Sequence, residues 1–317
     1  MSDLIDQVAD VVERTSAVVV GKRAQTRLLL IALLAEGHAL IDDVPGTAKT
    51  LLVRTVSRIL GLHFSRVQCT PDLLPADVTG SVVFDEAASE FVFRPGPLFA
   101  NLVLADEINR ASPRTQAAFL EAMQERQVTA DGVSHPLPQP FMVLATQNPV
   151  ELKGTFPLPE AQLDRFLVRL TMGYPSEEEE VAILERYRGG DPLTSVTAVD
   201  DGFDMTRVRA LIDDVHVSPD VQRYLVGLVR ATREAEDVEL GASPRAAVHL
   251  MRACQAAALL AGRDYVVPDD VRDLAVPVLA HRLVLRRDAL LDERSVAEVV
   301  SRLLRDTAVP AEESPRR

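Results

Sequence analysis

The first residues that could do chemistry form the run Asp43-Val-Pro-Gly-Thr-Ala-Lys-Thr50, between an apolar segment and a helical pattern. At such a junction, backbone N–H groups and the amino end of a helix can hold phosphate groups. In this interpretation Lys49 contacts the terminal phosphates and Thr50 binds magnesium. The strict phosphate-loop pattern has glycine at positions 43 and 48, so an ordinary strand-to-helix turn is the alternative. The predicted contact residues are Asp43, Val44, Pro45, Gly46, Thr47, Ala48, Lys49, Thr50 and Leu51.

Two adjacent acids, Asp106 and Glu107, follow a second apolar segment, Leu102-Val-Leu-Ala. A strand interior this apolar is typical of a parallel sheet, whose carboxyl edge is where α/β proteins hold ligands. We expect Asp106 to hold magnesium through water and Glu107 to polarise an attacking water. Adjacent acids at a strand end are often only solvated loop residues, but their position after the phosphate loop favours phosphoryl transfer.

A third apolar segment, Phe141-Met-Val-Leu-Ala-Thr, ends in the amides Gln147 and Asn148. Either amide could orient the attacking water or contact the γ-phosphate, and Asn148 is the stronger candidate. The alternative is that Asn148, which precedes a proline, only starts a turn.

Two arginines could supply positive charge to such a site. Arg165 could contact the γ-phosphate bound to a neighbouring chain, or it could form a surface salt bridge. Arg245 lies in the first turn of a predicted helix, where the helix dipole disfavours a cation, and this indicates an anion nearby. An exposed Arg245 paired with Asp237 or Glu239 is the alternative.

Short segments rich in Val, Leu and Phe alternate with helical patterns through the first half of the chain. Such alternation is typical of an α/β fold with a parallel sheet. Predicted strands cover residues 38–41, 63–69, 101–105, 141–146 and 166–171, and predicted helices cover residues 4–14, 22–36, 50–60, 112–125 and 159–164. This arrangement would place Asp106 and Glu107 at the rim of the sheet beside the phosphate loop.

Two hairpins are predicted to protrude from the sheet, at residues 81–93 and at residues 128–134. From about residue 176 the pattern becomes helical, with helix starts at Ser218-Pro219, Ser243-Pro244 and Val267-Pro268. We therefore predict an α/β core over residues 1–188 and a small all-helical domain over residues 189–317. Residues 189–202 are the predicted linker.

The charge of the chain bears on its partners. The 317 residues include 47 Asp and Glu against 34 Lys and Arg, which gives a formal net charge of −13. A surface with this average charge repels phosphate backbones, and aromatic residues, which stack on bases, make up only 4% of the chain. We therefore expect no binding to nucleic acid.

The cysteines and the apolar runs bear on the compartment. Cys69 and Cys254 have no companion at metal-ligand spacing, so two buried thiols in a reducing compartment are expected. No apolar run has the length that crossing a bilayer requires. We expect a cytoplasmic protein that does not insert directly into a membrane.

Five runs of specific sequence carry a family resemblance. They are Asp106-Glu-Ile-Asn-Arg-Ala-Ser-Pro-Arg-Thr-Gln116, Glu121-Ala-Met-Gln-Glu-Arg-Gln-Val128, Ala145-Thr-Gln-Asn-Pro149, Gly154-Thr-Phe-Pro-Leu-Pro-Glu-Ala-Gln-Leu-Asp-Arg-Phe166 and Gly241-Ala-Ser-Pro-Arg245. Together, and in this order, they resemble the MoxR family of AAA+ ATPases.

The resemblance implies an AAA+ P-loop core with a five-stranded parallel sheet, a helical lid, a hexameric ring, and hydrolysis of ATP with Mg²⁺ at subunit interfaces. It also implies roles for individual residues: Lys49 and Thr50 would be the Walker A residues, and Asp106 and Glu107 the Walker B residues. Asn148 would be sensor 1, and Arg165 would be the arginine finger that acts in trans. Arg245 would be sensor 2, which reports the state of the site to the lid, and Val20 and Gly21 would contact the adenine side. Residues 81–93 are similar to an insertion in helix 2, and residues 128–134 to the hairpin before sensor 1.

Three functions are compatible with this resemblance. The first is chaperone-like remodelling of a client protein, with a von Willebrand factor A domain partner, for assembly or metal-cofactor maturation of a target enzyme. The second is a magnesium-chelatase-like motor subunit. The third is a nucleotide-switched scaffold with little hydrolysis. DNA helicase activity is disfavoured by the negative charge of the chain.

Overall fold

The computed structural model of the chain describes residues 2–42, 46–147, 154–199, 205–292 and 294–310. Its amino-terminal part alternates strands and helices. The helices are α1 (Ser2–Val18), α2 (Arg23–Leu34), α3 (Lys49–Ile59), α4 (Pro75–Thr79), α5 (Pro113–Glu125), α6 (Glu160–Leu163) and α7 (Glu177–Tyr187). The strands are β1 (Ala39–Asp42), β2 (Phe64–Gln68), β3 (Gly80–Asp85), β4 (Glu90–Pro95), β5 (Leu102–Asp106), β6 (Gln127–Ala130), β7 (Val133–Pro136), β8 (Met142–Gln147) and β9 (Val168–Leu170).

Five strands form one parallel sheet in the order β2-β5-β8-β1-β9. The interiors of β5, β8 and β1 are buried, as expected for strands covered on both faces. Their carboxyl ends meet at one edge, because Asp42 is opposite Gln147 and Gln68 is opposite Asp106. The predicted five-stranded parallel sheet is confirmed, and the observed strands begin and end within two residues of the predicted bounds.

Both predicted hairpins are present, as β3 with β4 and β6 with β7. The second turns at Asp131 (φ 47°) and Gly132 (φ 78°), as a tight two-residue hairpin turn requires. The hairpins contact each other where the rings of Phe93 and His135 stack with centroids 3.9 Å apart. The rings of Phe84 and Phe91 pack together on the first hairpin and remain exposed.

The carboxyl-terminal part is helical, as predicted. Its elements are α8 (Met205–Asp213), α9 (Pro219–Glu234), β10 (Val238–Leu240), α10 (Pro244–Leu260), α11 (Pro268–Leu279), β11 (Val284–Leu285), α12 (Arg287–Leu291) and α13 (Val296–Asp306). Helices α9, α10 and α11 each begin at the predicted proline. The antiparallel pair of β10 and β11 was not predicted, because strands of two or three residues are too short to show a hydrophobic period.

The two parts share one hydrophobic interior. Leu30 of α2, Val208 of α8 and Leu250 of α10 belong to the same buried cluster. The segment predicted as a linker joins it: Leu193 is buried, and the Val199 N–H donates to Ile59 O at 2.7 Å. Residues 189–199 therefore contact the core at Leu193 and Val199, and the domain boundary at residue 189 stays a prediction.

The structure bears on three expectations from the sequence, which concern the cysteines, metal-ligand groups and membrane-spanning helices. Cys69 and Cys254 are free and buried, and burial, together with the charges of Asp106 and Glu107, raises the pKa of the Cys69 thiol to about 12. Among the residues that the structure describes, no group of three or more His, Cys, Asp or Glu could hold a metal ion. None of the helices in those ranges has the length and apolar character needed to cross a bilayer.

His38 is a buried polar group at the start of β1. Its Nε2 lies 3.0 Å from Met123 O, and its Nδ1 accepts the Val143 N–H at 3.0 Å. The neutral ring with its proton on Nε2 satisfies both contacts, whereas a protonated ring would oppose the Val143 N–H with a second donor. Burial is the largest cause that lowers the pKa of His38 to about 4.

We expect the free energy of unfolding to decrease as the pH falls from about 6.5 to about 4. In this window the unfolded chain protonates His38 and the folded chain does not, so His38 contributes a slope of up to about 1.4 kcal/mol per pH unit. Denaturant unfolding at pH 7 and pH 5 measures the slope. His38→Gln should make it shallower, and His63→Gln, at an exposed position, should not. An equal slope in both variants would contradict the assignment.

Candidate active site

The described part of the phosphate loop, residues 46–48, joins β1 to α3. Gly46 has a φ of 82° and Ala48 a φ of 64°, so the backbone is left-handed immediately before Lys49 begins α3. This φ explains why the strict pattern has glycine at position 48, since left-handed backbone costs an L-residue about 1–2 kcal/mol. The predicted contact residues Asp43, Val44 and Pro45 lie outside the described residues.

A cavity of ≈ 320 Å³ lies at the carboxyl edge of the sheet, next to the phosphate loop. We call it the phosphate cavity. It is lined by Gly46, Thr47, Ala48, Lys49, Thr50, Leu51, Arg66, Gln68, Asp106, Glu107, Thr146 and Gln147. Helix α3 begins beside the cavity, and the positive end of its dipole favours an anion there. The structure thus brings the predicted loop residues from Gly46 to Leu51 and both predicted acids to one cavity.

Asp106 ends β5 with its carboxylate held by two partners. Thr146 Oγ1 donates to Asp106 Oδ1 at 2.7 Å, and Arg66 donates to Oδ2 at 2.6 Å and 3.1 Å. Arg66 lies on the neighbouring strand β2 and was not predicted, because strand pairing, rather than proximity in the sequence, brings it to Asp106.

Glu107 follows in left-handed backbone, with a φ of 57°. Its N–H donates to Thr146 Oγ1 at 2.7 Å, so one buried hydroxyl contacts both acids. Its carboxylate accepts from Gln68 at 3.0 Å and from Arg110 at 2.9 Å. Thr146 was not predicted as a site residue, although it lies in the Ala145-Thr-Gln-Asn-Pro149 run. Thr146 orients the two acids relative to each other.

Several of the described residues that line the phosphate cavity carry side-chain oxygen atoms, and two of them are the predicted metal ligands. The Thr50 hydroxyl and the Asp106 carboxylate both belong to residues that line the phosphate cavity. Hard oxygen donors in small number suit Mg²⁺, which keeps several waters and completes its shell with phosphate oxygens. The residues present therefore fit magnesium bound together with a nucleotide.

The predicted amide sensor is only partly described. Gln147 lines the phosphate cavity, whereas Asn148 lies outside the described residues. The described chain resumes at residue 154, and buried Gln116 anchors this segment. The Gln116 amide donates to Phe156 O at 2.8 Å and to Ile108 O at 3.2 Å. Gln116 thus joins the segment before α6 to the turn that follows Glu107.

A second cavity, of ≈ 250 Å³, adjoins the phosphate cavity and shares residues 46–48 and Leu51 with it. We call it the apolar cavity. Val20, one of the two predicted adenine-side residues, lines it, and α7 contributes Ile183 and Tyr187. The two α7 residues were not predicted, because the pattern of a helix does not show which distant loop it contacts. Gly21 has a φ of 71° and lies against the Glu179 carboxylate.

Gly21→Ala should destabilise the chain by about 1–2 kcal/mol, because a φ of 71° disfavours an L-residue, and should also weaken ATP binding, because a Cβ there would collide with the Glu179 carboxylate. The Glu179 side chain would have to move and so lose the hydrogen bond that it accepts from the Ser176 N–H at the start of α7, the helix that lines the apolar cavity. Gly61→Ala is the matched control, since Gly61 has a φ of 65° and no atom within 4 Å of a Cβ. Thermal unfolding and ATP titration measure both effects. Equal ATP affinity in the two variants would argue against the contact.

Arg165 and Arg245 line a third cavity, of ≈ 150 Å³, together with His38 and His249. We call it the arginine cavity. It lies at the amino end of β1, whereas the phosphate loop follows the carboxyl end, so a four-residue strand of about 13 Å separates them. The Arg165 guanidinium donates to Leu120 O at 2.8 Å.

Arg245 lines the arginine cavity and does not line the phosphate cavity of its own chain. Helix α10 packs against α2 and α11, and this packing holds Arg245 beside Arg165 rather than beside the phosphate loop. Helical patterns do not predict such a placement. Arg165 and Arg245 thus line one cavity, and neither of them lines the phosphate cavity of the same chain.

Two family models match the chain. The model for the ATPase family associated with various cellular activities (AAA) matches residues 38–168, and the AAA lid domain model matches residues 230–303. The first range contains the phosphate loop, both acids and Arg165, and the second contains Arg245.

Relatives match nearly the whole chain. It is 46% identical over 312 residues to Uncharacterized protein YeaC of Bacillus subtilis, covering 98% of both chains. It is 44% identical over 302 residues to Chaperone MoxR1 of Mycobacterium tuberculosis, covering 92% of this chain and 80% of the relative. A crystal structure described as a proposed ATPase from Cytophaga hutchinsonii is 37% identical, with a TM-score of 0.91 over 98% of this chain and 97% of that one.

Proposed function

Because this chain belongs to the MoxR family of AAA+ ATPases, we propose that it hydrolyses ATP with Mg²⁺ and uses the cycle to remodel a protein partner. One observation carries the proposal: Asp106 and Glu107 line the same cavity as the phosphate loop, and Thr146 contacts both acids. Positioning and charge neutralisation are most of what phosphoryl transfer requires.

The binding roles follow from the residues of the phosphate cavity. The loop and the amino end of α3 hold the phosphates, and Lys49 contacts the terminal ones. Thr50 and Asp106 would hold Mg²⁺, which neutralises phosphate charge when bound. Val20, which lines the apolar cavity, and the walls of that cavity take the adenine side, and the neighbouring Gly21 keeps its proposed contact there.

Glu107 is the proposed general base. Gln68 and Arg110 hold its carboxylate, and the Thr146 hydroxyl fixes its backbone, so the group that accepts the proton from water has a defined position. Asn148 keeps its proposed role as the amide that contacts the γ-phosphate or orients the water.

A complete site would include a second copy of the chain. Arg165 and Arg245 lie together at the amino end of β1, where they could contact the nucleotide of an adjacent subunit. This placement supports a homo-oligomeric ring, for which we propose six subunits. We extend the proposed action in trans to Arg245.

The proposed biological role is chaperone-like and cytoplasmic. One relative is named Chaperone MoxR1, which supports a protein client. We propose that a von Willebrand factor A domain protein is a partner and that the client is a target enzyme undergoing assembly or metal-cofactor maturation. The net charge of −13 supports a protein rather than a nucleic-acid client.

Lys49→Ala should raise the Kd for ATP by about 10- to 100-fold, because a hydrogen bond from a charged group contributes about 1.5–3 kcal/mol. Turnover at a fixed ATP concentration should fall as the Kd rises. Arg54→Ala removes an exposed cation from the same helix and should leave the Kd unchanged. Isothermal titration with ATP and Mg²⁺ measures both values, and an unchanged Kd in Lys49→Ala would refute the site.

A client can be captured with Glu107→Gln chains, which should keep ATP and hence the client-bound state. Lys49→Ala chains are the control, because they lack the ATP state. A protein enriched by the first and not by the second is the candidate client. If purified protein with that client binds ATP without turnover, a nucleotide-switched scaffold replaces the remodelling proposal.

A further inference from the structure

Arg282 is a buried arginine outside the three cavities. It ends the helical turn Ala280–Arg282 after α11 and is 4% exposed. Its Nε donates to Asp164 Oδ1 at 2.9 Å, and its NH2 group donates to Phe166 O at 2.5 Å. It therefore contacts the chain on both sides of Arg165.

The same guanidinium also contacts α10. Its NH2 group lies 2.6 Å from His249 Nδ1. Burial and the charges of Arg282 and Arg245 lower the pKa of His249 to about 3, so the neutral ring can accept this hydrogen bond. His249 is one turn after Arg245 on α10.

Asp164 makes a second link to α10. Ser243 Oγ lies 3.1 Å from Asp164 Oδ2 and 3.3 Å from Oδ1. The same hydroxyl caps α10 by accepting the Ala246 N–H at 3.3 Å. The carboxylate next to Arg165 is thus bonded to the residue two positions before Arg245.

These contacts form one network between the two arginines of the arginine cavity. Asp164 and Phe166 flank Arg165, and Ser243 and His249 lie on either side of Arg245 along the chain. Side chains packed and hydrogen-bonded in this way transmit displacement from one element to the other.

We propose that Arg282 is a positioning residue that, with Asp164, fixes Arg165 and Arg245 as one pair of cations for the nucleotide of an adjacent subunit. The proposal rests on the proposed function, since it assumes that Arg165 acts in trans. It predicts that damage to the network impairs the neighbour's hydrolysis while the damaged chain keeps its own nucleotide site.

Two variants test the proposal, one with a large and one with a smaller expected loss of turnover. Arg282→Lys keeps the charge but loses the planar fork of donors, and should lower turnover by about 100-fold, the loss expected when a catalytic group moves by about 1 Å. Ser243→Ala removes the bond to Asp164 together with one helix cap, and should lower turnover by about tenfold.

Ser218→Ala is the matched control for Ser243→Ala. Ser218 caps α9 by accepting the Val221 N–H at 3.3 Å, the same distance as in the Ser243 cap. The turnover of Ser218→Ala chains should stay within about twofold of that of the parent chain. ATP affinity should be unchanged in Ser243→Ala and Arg282→Lys, because their own phosphate cavities are intact.

Mixing supplies the readout that a loss of stability would not give. Each variant should regain turnover when mixed with Glu107→Gln chains, which offer intact arginines, but not when mixed with Arg165→Ala chains. The reference is a mixture of Arg165→Ala with Glu107→Gln chains. No rescue in the reference would overturn the shared site and this proposal with it. If the reference mixture is rescued, either of two results would overturn the positioning role alone. Ser243→Ala chains could have the same turnover as Ser218→Ala chains, or mixing with Glu107→Gln chains could fail to restore their turnover. If Arg282→Lys fails to fold, Ser243→Ala decides.

Discussion

Arg165→Ala is expected to lower ATP turnover by about 1,000-fold, the lower end of the effect of an arginine finger on phosphoryl transfer. The guanidinium would stabilise negative charge that develops on the transferred phosphoryl group, and this stabilisation exists only at the transition state. ATP affinity should be nearly unchanged, because Arg165 lines the arginine cavity and not the phosphate cavity of its own chain.

The decisive measurement is turnover in mixed rings. Arg165→Ala chains keep Glu107, and Glu107→Gln chains keep Arg165, so a mixture contains interfaces at which both groups are intact although neither parent is active. Turnover should peak at an intermediate ratio. Arg223→Ala, which removes an exposed guanidinium from α9, should behave like the parent chain. Strict absence of rescue at every ratio would exclude a site shared between subunits.

Glu107→Gln is expected to lower turnover by about 100- to 10,000-fold while ATP still binds, since general-base catalysis contributes that much. Glutamine has nearly the same shape and can still accept from Gln68 and Arg110, whose donors lie 3.0 Å and 2.9 Å from the Glu107 carboxylate. What is lost is the ability to take a proton from water.

Single-turnover hydrolysis with ATP in the presence of Mg²⁺ measures this loss, and titration under the same conditions measures binding. Glu125→Gln makes the same chemical change at an exposed position at the end of α5 and should be silent. If Glu107→Gln lost binding as well as turnover, its role would be structural.

Much of the fold followed from local sequence signals. The five strands of the sheet were predictable because buried parallel strands are short continuous apolar runs. The starts of α9 and α10 were predictable because serine caps a helix and proline suits its first turn. The phosphate loop and the two acids could be assigned because each follows such a strand.

Other parts of the site depend on contacts between distant segments. Thr146 is one of several buried polar residues in the sequence until the pairing of β8 with β5 brings its hydroxyl to Asp106. The pairing of Arg245 with Arg165 depends on how α10 packs against α2. Arg282 is an ordinary arginine in the pattern, and only the three-dimensional packing reveals that it is buried. Neither propensity nor periodicity contains this information.

The shared hydrophobic interior has a consequence for how force passes through an assembly. Swinging the carboxyl-terminal helices away from α2 would expose apolar surface at a cost of about 25 cal/mol per Å². Leu30, Val208 and Leu250 lie in that single cluster, so each subunit should move nearly as a solid block. The conformational change driven by hydrolysis would then concentrate at the interfaces between subunits, where Arg165 and Arg245 would contact the nucleotide of the adjacent chain.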